Sequence, residues 1–139
     1  MKEFGATLLR IMVGVIFVMH AYLVYFIVTP AGMVKFMGST GFPAPGILVW
    51  YLLLGQLIGG IMMIIGLWTR WAALAMVPII GGAVFMIHLK QGYFMTGRIV
   101  DAAAGRAMAV GFEFPLFLLV ATIAVVLLGG GALATTKDK

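Results

Sequence analysis

The stretch GQLIGGIMMIIGLWTRWAALAMVPIIGGAVFMIHLK, Gly55 to Lys90, carries a single fixed charge, Arg70, before its final lysine. A membrane-spanning helix needs about 20 mostly apolar residues. Read outward from Arg70, the apolar run extends back to Ile47 and forward to Lys90. The stretch therefore divides into two spans, roughly 47–68 and 71–90, joined by little more than Thr69-Arg70. So short a link forces an antiparallel hairpin.

The rest of the chain has the same character. Two further segments, roughly 5–28 and 112–133, are long and apolar enough to span. Of the 139 residues, 64% are hydrophobic and 9% charged, and the mean hydropathy is +1.20. Soluble domains carry about 25% charged residues, so the solvent implied here is a bilayer. Backbone groups in lipid must pair internally, and the segments are far too long for barrel strands. The expected fold is all-α, an integral membrane antiparallel four-helix bundle formed by one transmembrane domain over residues 1–139. The first apolar run exceeds the roughly 7–15 residues of a signal peptide and lacks a clear cleavage site, so it reads as a retained span.

Four spans place two long loops, 29–46 and 91–111, on one membrane face and both termini on the other, with Thr69-Arg70. Within the first loop Ala31–Gly38 has the pattern of an amphipathic turn of helix. VDAAAGRAM in the second is a weak interfacial helix candidate. Lys2, Arg10, Arg70, Lys137 and Lys139 lie toward the terminal face, and Lys35, Lys90, Arg98 and Arg106 toward the other. That slight excess leans toward cytoplasmic termini. The formal charge of +5 is scattered with no basic run, which suits lipid headgroups and argues against nucleic acid. Cysteine is absent, so thiol redox chemistry and thiolate metal sites are excluded.

Glycines and a proline inside the spans have mechanical readings. Gly55, Gly59 and Gly60 allow helix backbones to approach closely, and Pro78 should kink the third span. Trp50, Tyr51, Trp68 and Trp71 stand at span ends, where aromatic belts are expected.

Polar groups within spans are costly and usually face the bundle interior. Arg10, His20, Gln56, His88 and Glu113 are the candidates. At 1.5 Å per residue, His20 and Gln56 lie roughly 12 Å below the long-loop face. His88 and Glu113 are shallower, near that face. Four polar side chains from four helices thus gather in one leaflet, bordered by Tyr22, Tyr25, Lys35 and Lys90. A purely structural reading puts His88 and Lys90 in the headgroup zone, with Glu113 in the first turn of its helix, where a carboxylate suits the dipole. For the deeper His20 and Gln56 a ligand pocket is the favoured reading.

Three occupants fit such a pocket. Haem would use His20 and His88 as axial ligands, at depths awkward for one iron. Copper(I) would pair the imidazoles of His20 and His88 with the thioethers of Met19 and Met86. A quinone would place its ring among apolar side chains and its carbonyls on His, Gln or Tyr, beside a proton-carrying group.

Five pieces in order resemble the DoxX family of small four-span membrane proteins. They are LLRIMVGVIFVMHAY (8–22), GFPAP (41–45), GQLIGGIMMIIGLWTRWAAL (55–74), HLKQGYF (88–94) and GFEFPLFLL (111–119). The resemblance implies a quinone-associated or redox-partnered membrane subunit, in the prokaryotic inner (cytoplasmic) membrane. Relatives include the membrane part of thiosulfate:quinone oxidoreductase and members of copper-responsive gene clusters. The family's second-span Glu is Gln56 here, which removes an ionisable group and keeps the hydrogen bonding. An insertion around Arg98–Met108 also departs from the compact form and reads as a partner contact.

The leading expectation is a subunit of a quinone-linked redox complex. His20, Gln56, His88, Glu113, Tyr22 and Lys90 would bind a quinone or small ligand, with no covalent cofactor and no independent turnover. The alternatives are a non-enzymatic scaffold docking a protein partner through its loops, and copper or other metal handling. A protein partner or a homo-oligomer is expected within the lipid bilayer.

Overall fold

The computed structural model describes residues 1–94, 98–99, 108–109 and 111–136. Five helices form its fold: α1 (Lys2–Val28), α2 (Pro30–Ser39), α3 (Pro45–Ile65), α4 (Thr69–Gln91) and α5 (Glu113–Leu128). Elsewhere among the described residues, Arg98–Ile99 and Met108–Ala109 pair as a two-residue antiparallel ladder. All of the candidate helix VDAAAGRAM except Met108, and most of the Arg98–Met108 insertion, lie outside the described residues.

Helices α1, α3 and α4, of 27, 21 and 23 residues, are long and apolar enough to cross a membrane. The fourth expected span, 112–133, is shorter than the sequence suggested. Helix α5 has 16 residues, about 24 Å of helix against a hydrocarbon core of about 30 Å. It stops because Gly129-Gly130-Gly131 follows, and Gly129 and Gly131 adopt φ of +75° and +72°, conformations that glycine takes without steric cost. The hairpin turn also moves. Thr69 and Arg70 belong to α4, and the chain reverses at 66–68. There Gly66 takes φ +76°, and the N–H groups of Gly66 and Leu67 both donate to the Met62 carbonyl at 2.9 Å.

The first long link folds into α2, beyond the single turn its pattern suggested. Thr29 caps it by accepting from the Gly32 N–H at 3.2 Å, and Pro30 occupies the first turn, where its missing donor costs nothing. At the other end Gly41 (φ +86°) closes a Schellman motif. The Phe42 N–H donates to Met37 O (3.0 Å) and the Gly41 N–H to Gly38 O (3.3 Å).

The main core joins α1, α3, α4 and α5 through Val13, Phe17, Met63, Met76, Leu118 and Val125. Gly14 on α1 and Gly60 on α3 bring two backbones together: a Cβ on Gly60 would lie 2.8 Å from the Gly14 carbonyl oxygen. Gly55 and Gly59 face α4, where a Cβ on either would meet Met76 Cε at 3.1 Å. The small residues are thus used for packing within the chain. A second cluster, Val24, Met37, Val49 and Leu53, lies under α2.

At the opposite end, α3 finishes with carbonyls that lack helical partners, as every helix does. Residues beyond α5 fold back to meet them. Thr135 Oγ1 donates to Ile65 O (2.7 Å), and Arg10, 1% exposed, donates to Met63 O (2.5 Å) and Ile64 O (2.7 Å). The same guanidinium holds the returning tail through Gly130 O (2.5 Å) and Leu133 O (2.8 Å). One buried cation therefore ties α1, the end of α3 and the C-terminal tail into a single knot.

Candidate functional site

A cavity of about 430 Å³ opens between α1, α2, α3 and α4. Most of its wall is apolar. Helix α1 gives Val24; α2 gives Met33, Phe36 and Met37; the next turn gives Phe42. Leu48 and Leu52 come from α3, and Pro78, Ile79, Ile80, Ala83 and Ile87 from α4. Set into this wall are His20 on α1, Tyr51 and Gln56 on α3, and His88 and Gln91 on α4. Among the described residues, no Asp, Glu, Lys or Arg lines it.

The local backbone is unusual where these residues sit. Each of the three long helices widens into a π-helical turn: Leu23–Val28, Gly55–Gly59 and Ala83–His88. Val24, Gln56, Ala83, Ile87 and His88 stand on these turns, and His20 lies just before the first. Such turns shift the register of the side chains that follow and recur at functional sites.

Of the six side chains singled out for a ligand, the fold brings His20, Gln56 and His88 to one cavity. Glu113, Tyr22 and Lys90 are not among its lining residues. Glu113 opens α5, its backbone N–H donating to Tyr93 O at 3.0 Å. Tyr22 is 51% exposed and packs on Phe26, with ring centroids 4.9 Å apart. Lys90 is exposed at the end of α4. Met19 and Met86, the thioethers considered for copper, do not line the cavity either. Among the described residues no three His, Asp or Glu groups are placed to share a metal ion.

Tyr51 was read as a depth anchor, yet it belongs to the cavity wall. Pro78 has no N–H to donate, which loosens this turn of α4. The Tyr51 hydroxyl donates to the carbonyl of Ala75 at 2.8 Å. The pattern did contain this: Leu48, Leu52 and Gln56 recur at four-residue spacing, with Tyr51 beside them on the same face. The contribution of α2 carried no comparable signal.

Gln56 is the most confined of the polar groups. It is 2% exposed, and its Oε1 has no hydrogen-bond partner among the described residues. Buried polar atoms are nearly always paired, so an incompletely paired side-chain amide in a cavity wall marks where a ligand's polar group fits, its N–H groups able to donate and its oxygen to accept. His20 is exposed and His88 half-buried. The arrangement offers a neutral, lipid-like chamber with hydrogen-bonding groups and two imidazoles able to hold a proton.

The family model for DoxX matches residues 5–89. The chain belongs to the DoxX family. The match covers α1 to α4 almost entirely, and with them every residue of the cavity except Gln91. Over 132 residues the chain is 29% identical to the Bacillus subtilis (strain 168) protein named "Putative oxidoreductase CatD", an alignment spanning 95% of this chain and 84% of that one. No solved structure matches the chain. The protein is thus a DoxX-family membrane protein, similar across nearly its whole length to one named a "putative oxidoreductase".

Proposed function

We propose that this DoxX-family protein is the membrane subunit of a quinone-linked redox complex and that the cavity between α1 and α4 receives the quinone head. The observation that carries the reading is Gln56, buried in a mostly apolar wall with its Oε1 unpaired among the described residues. The name of the Bacillus subtilis relative points the same way. A bound quinone supplies a lipid-soluble carrier of two electrons and two protons. Gln56 orients the head group, His20 and His88 hold protons at their imidazole nitrogens, and the methionine, phenylalanine and leucine wall excludes water.

Purification in mild detergent, lipid extraction and mass spectrometry test this directly. A quinone retained near stoichiometry, and a raised melting temperature on adding a short-chain analogue, are expected. No retained quinone together with an unmoved melting temperature would sink the idea.

The same reading makes α5 a fourth crossing, with bilayer thinning or tilt accommodating its short length. Both termini then share one side, the cytoplasmic one by the slight excess of basic residues. Fluorescent-protein fusions before Met1 and after Lys139 should both fluoresce in cells. Fluorescence from only one of them would leave an odd number of crossings.

A further inference from the structure

Helix α2, folded from the first long link, forms one wall of the cavity, and its attachments suit a part that moves. It packs on α1 and α3. Met33, Phe36 and Met37 line the cavity, while Ala31, Lys35 and Ser39 are exposed. Its polar side chains bond locally: Ser39 Oγ donates to Phe36 O (2.8 Å) and Thr40 Oγ1 to Met37 O (3.0 Å). The contacts that seat it are apolar, with Met37 buried beside Val24, Val49 and Leu53.

The backbone on either side of α2 is strained. Of the three non-glycine residues with positive φ among the described residues, two flank this helix. Thr29 has φ +68° and ψ 147°, a region that glycine visits freely and a β-branched residue rarely enters. Ala44 has φ +45° and ψ 55°, although Pro45 pushes the residue before it toward extended backbone. Strained positions cluster at ligand clamps and switch segments, and release of each shifts an equilibrium by about 5-fold to 100-fold. Between these two points Phe42, itself in the cavity wall, reaches α4. A Cβ on Gly82 would lie 3.3 Å from Phe42 Cε1 and 3.7 Å from Cζ. Glycine at position 82 thus leaves the seat into which the ring edge fits.

We propose that α2 is a lid over the cavity, hinged at Thr29 and Ala44 and latched by the Phe42 ring at Gly82, and that ligands enter when it opens. The two strained hinges raise the energy of the closed form and keep opening within thermal reach. The latch and the apolar seat hold it shut. A ligand touching Met33, Phe36 and Met37 adds contacts that exist only in the closed form, and so shifts the population toward closure. The lid concerns the way in, and serves any apolar occupant of the cavity.

The chain has no cysteine, so one introduced thiol reports on one place. Ala83→Cys sets it in the cavity wall, and Lys90→Cys on the exposed end of α4 serves as the control. The detergent-purified full chain is treated with N-ethylmaleimide, and the labelling rate is read by intact mass. The thiol at position 83 should react at least about 10-fold more slowly than the one at position 90. Adding Phe42→Ala or the milder Phe42→Leu should speed labelling at position 83, by about 10-fold for alanine. Adding Ala44→Gly relieves the hinge in the closed form and should slow it about 5-fold or more. None of these changes should move the rate at position 90, and melting temperatures show which variants fold. Equal rates at positions 83 and 90 in the parent overturn the lid. Unmoved labelling at position 83 in a folded Phe42→Leu variant overturns the latch, and faster labelling with Ala44→Gly overturns the hinge. Because the probe is N-ethylmaleimide alone, failure here leaves the quinone-site reading standing, and loss of that reading leaves the lid.

Discussion

Replacing Arg10 by leucine should produce the largest loss of stability available from one side chain in this protein. The guanidinium donates to Met63 O, Ile64 O, Gly130 O and Leu133 O while 1% exposed. Leucine would fill part of the volume and leave four carbonyls facing an apolar core, two of them at the negative end of the α3 dipole. Hydrogen bonds to charged groups are worth about 1.5–3 kcal/mol each, and orphaned buried acceptors add their own cost. Even heavily discounted for relaxation, the loss should exceed about 4 kcal/mol, among the larger effects of point substitutions. We expect Arg10→Leu to express poorly and to melt at least about 10 °C below wild type in detergent. Arg10→Lys should recover only part of this, since an ammonium has three donors and no planar fork. A truncation after Leu128 removes the tail that Arg10 holds. Combined with Arg10→Leu it should cost much less than the sum of the two changes, because both break one network. An Arg10→Leu protein melting with wild type would show that the knot contributes little.

The residues that form this knot explain what could be read from the sequence and what could not. The apolar runs around Thr69-Arg70 announced helices because bilayer thickness imposes a length and backbone pairing imposes a conformation. Those are composition-level constraints, and α1, α3 and α4 obey them. Arg10 was conspicuous as a charge in a span, but its partners are backbone carbonyls from 53 to 123 positions away in sequence. Backbone acceptors carry no residue-type signal, so the tail's return could not be seen. The same holds for the end of α5, where Gly129 to Gly131 were counted into an apolar span. A triple glycine weighs nothing in hydropathy and much in conformation.

The site divides along the same line. Depth alone placed His20 and Gln56 together, since both count from span ends with a fixed rise per residue. The grouping of His88 with them also followed from depth. Glu113 shared that depth but stands on α5, which gives no residue to the cavity lining, and depth says nothing of azimuth. The missing wall is supplied by α2, whose Met33, Phe36 and Met37 face the cavity. Its sequence reads as a loop with a short amphipathic turn because its apolar face is narrow. Only the Thr29 cap and the Gly41 closure fix its extent. The π-helical turns are harder still, because no residue type specifies them. Gly55 and Pro78 weaken the α-helical ladder nearby without dictating what replaces it.

Filling the cavity separates its shape from its polar chemistry, and Ala83→Trp does so from the α4 side. Ala83 is half-buried, stands on the Ala83–His88 π-helical turn and lines the chamber. An indole there would occupy much of a space of about 430 Å³ while leaving His20, Gln56 and His88 unchanged. It would grow into open volume and not into packed atoms, so the overpacking cost of about 1–3 kcal/mol seen in dense cores should be largely avoided. The expected result is a protein that folds and melts within about 3 °C of wild type without ligand. It should nonetheless retain no quinone through purification and bind the short-chain analogue at least about 100-fold more weakly. That loss corresponds to about 2.7 kcal/mol, within reach of simple steric exclusion from a preformed site. Ala83→Val, adding two methyl groups, should fall between the two. A folded Ala83→Trp protein that still carries quinone at the wild-type level would place the ligand somewhere other than this cavity. The claim that α1 to α4 enclose the working site would then fail.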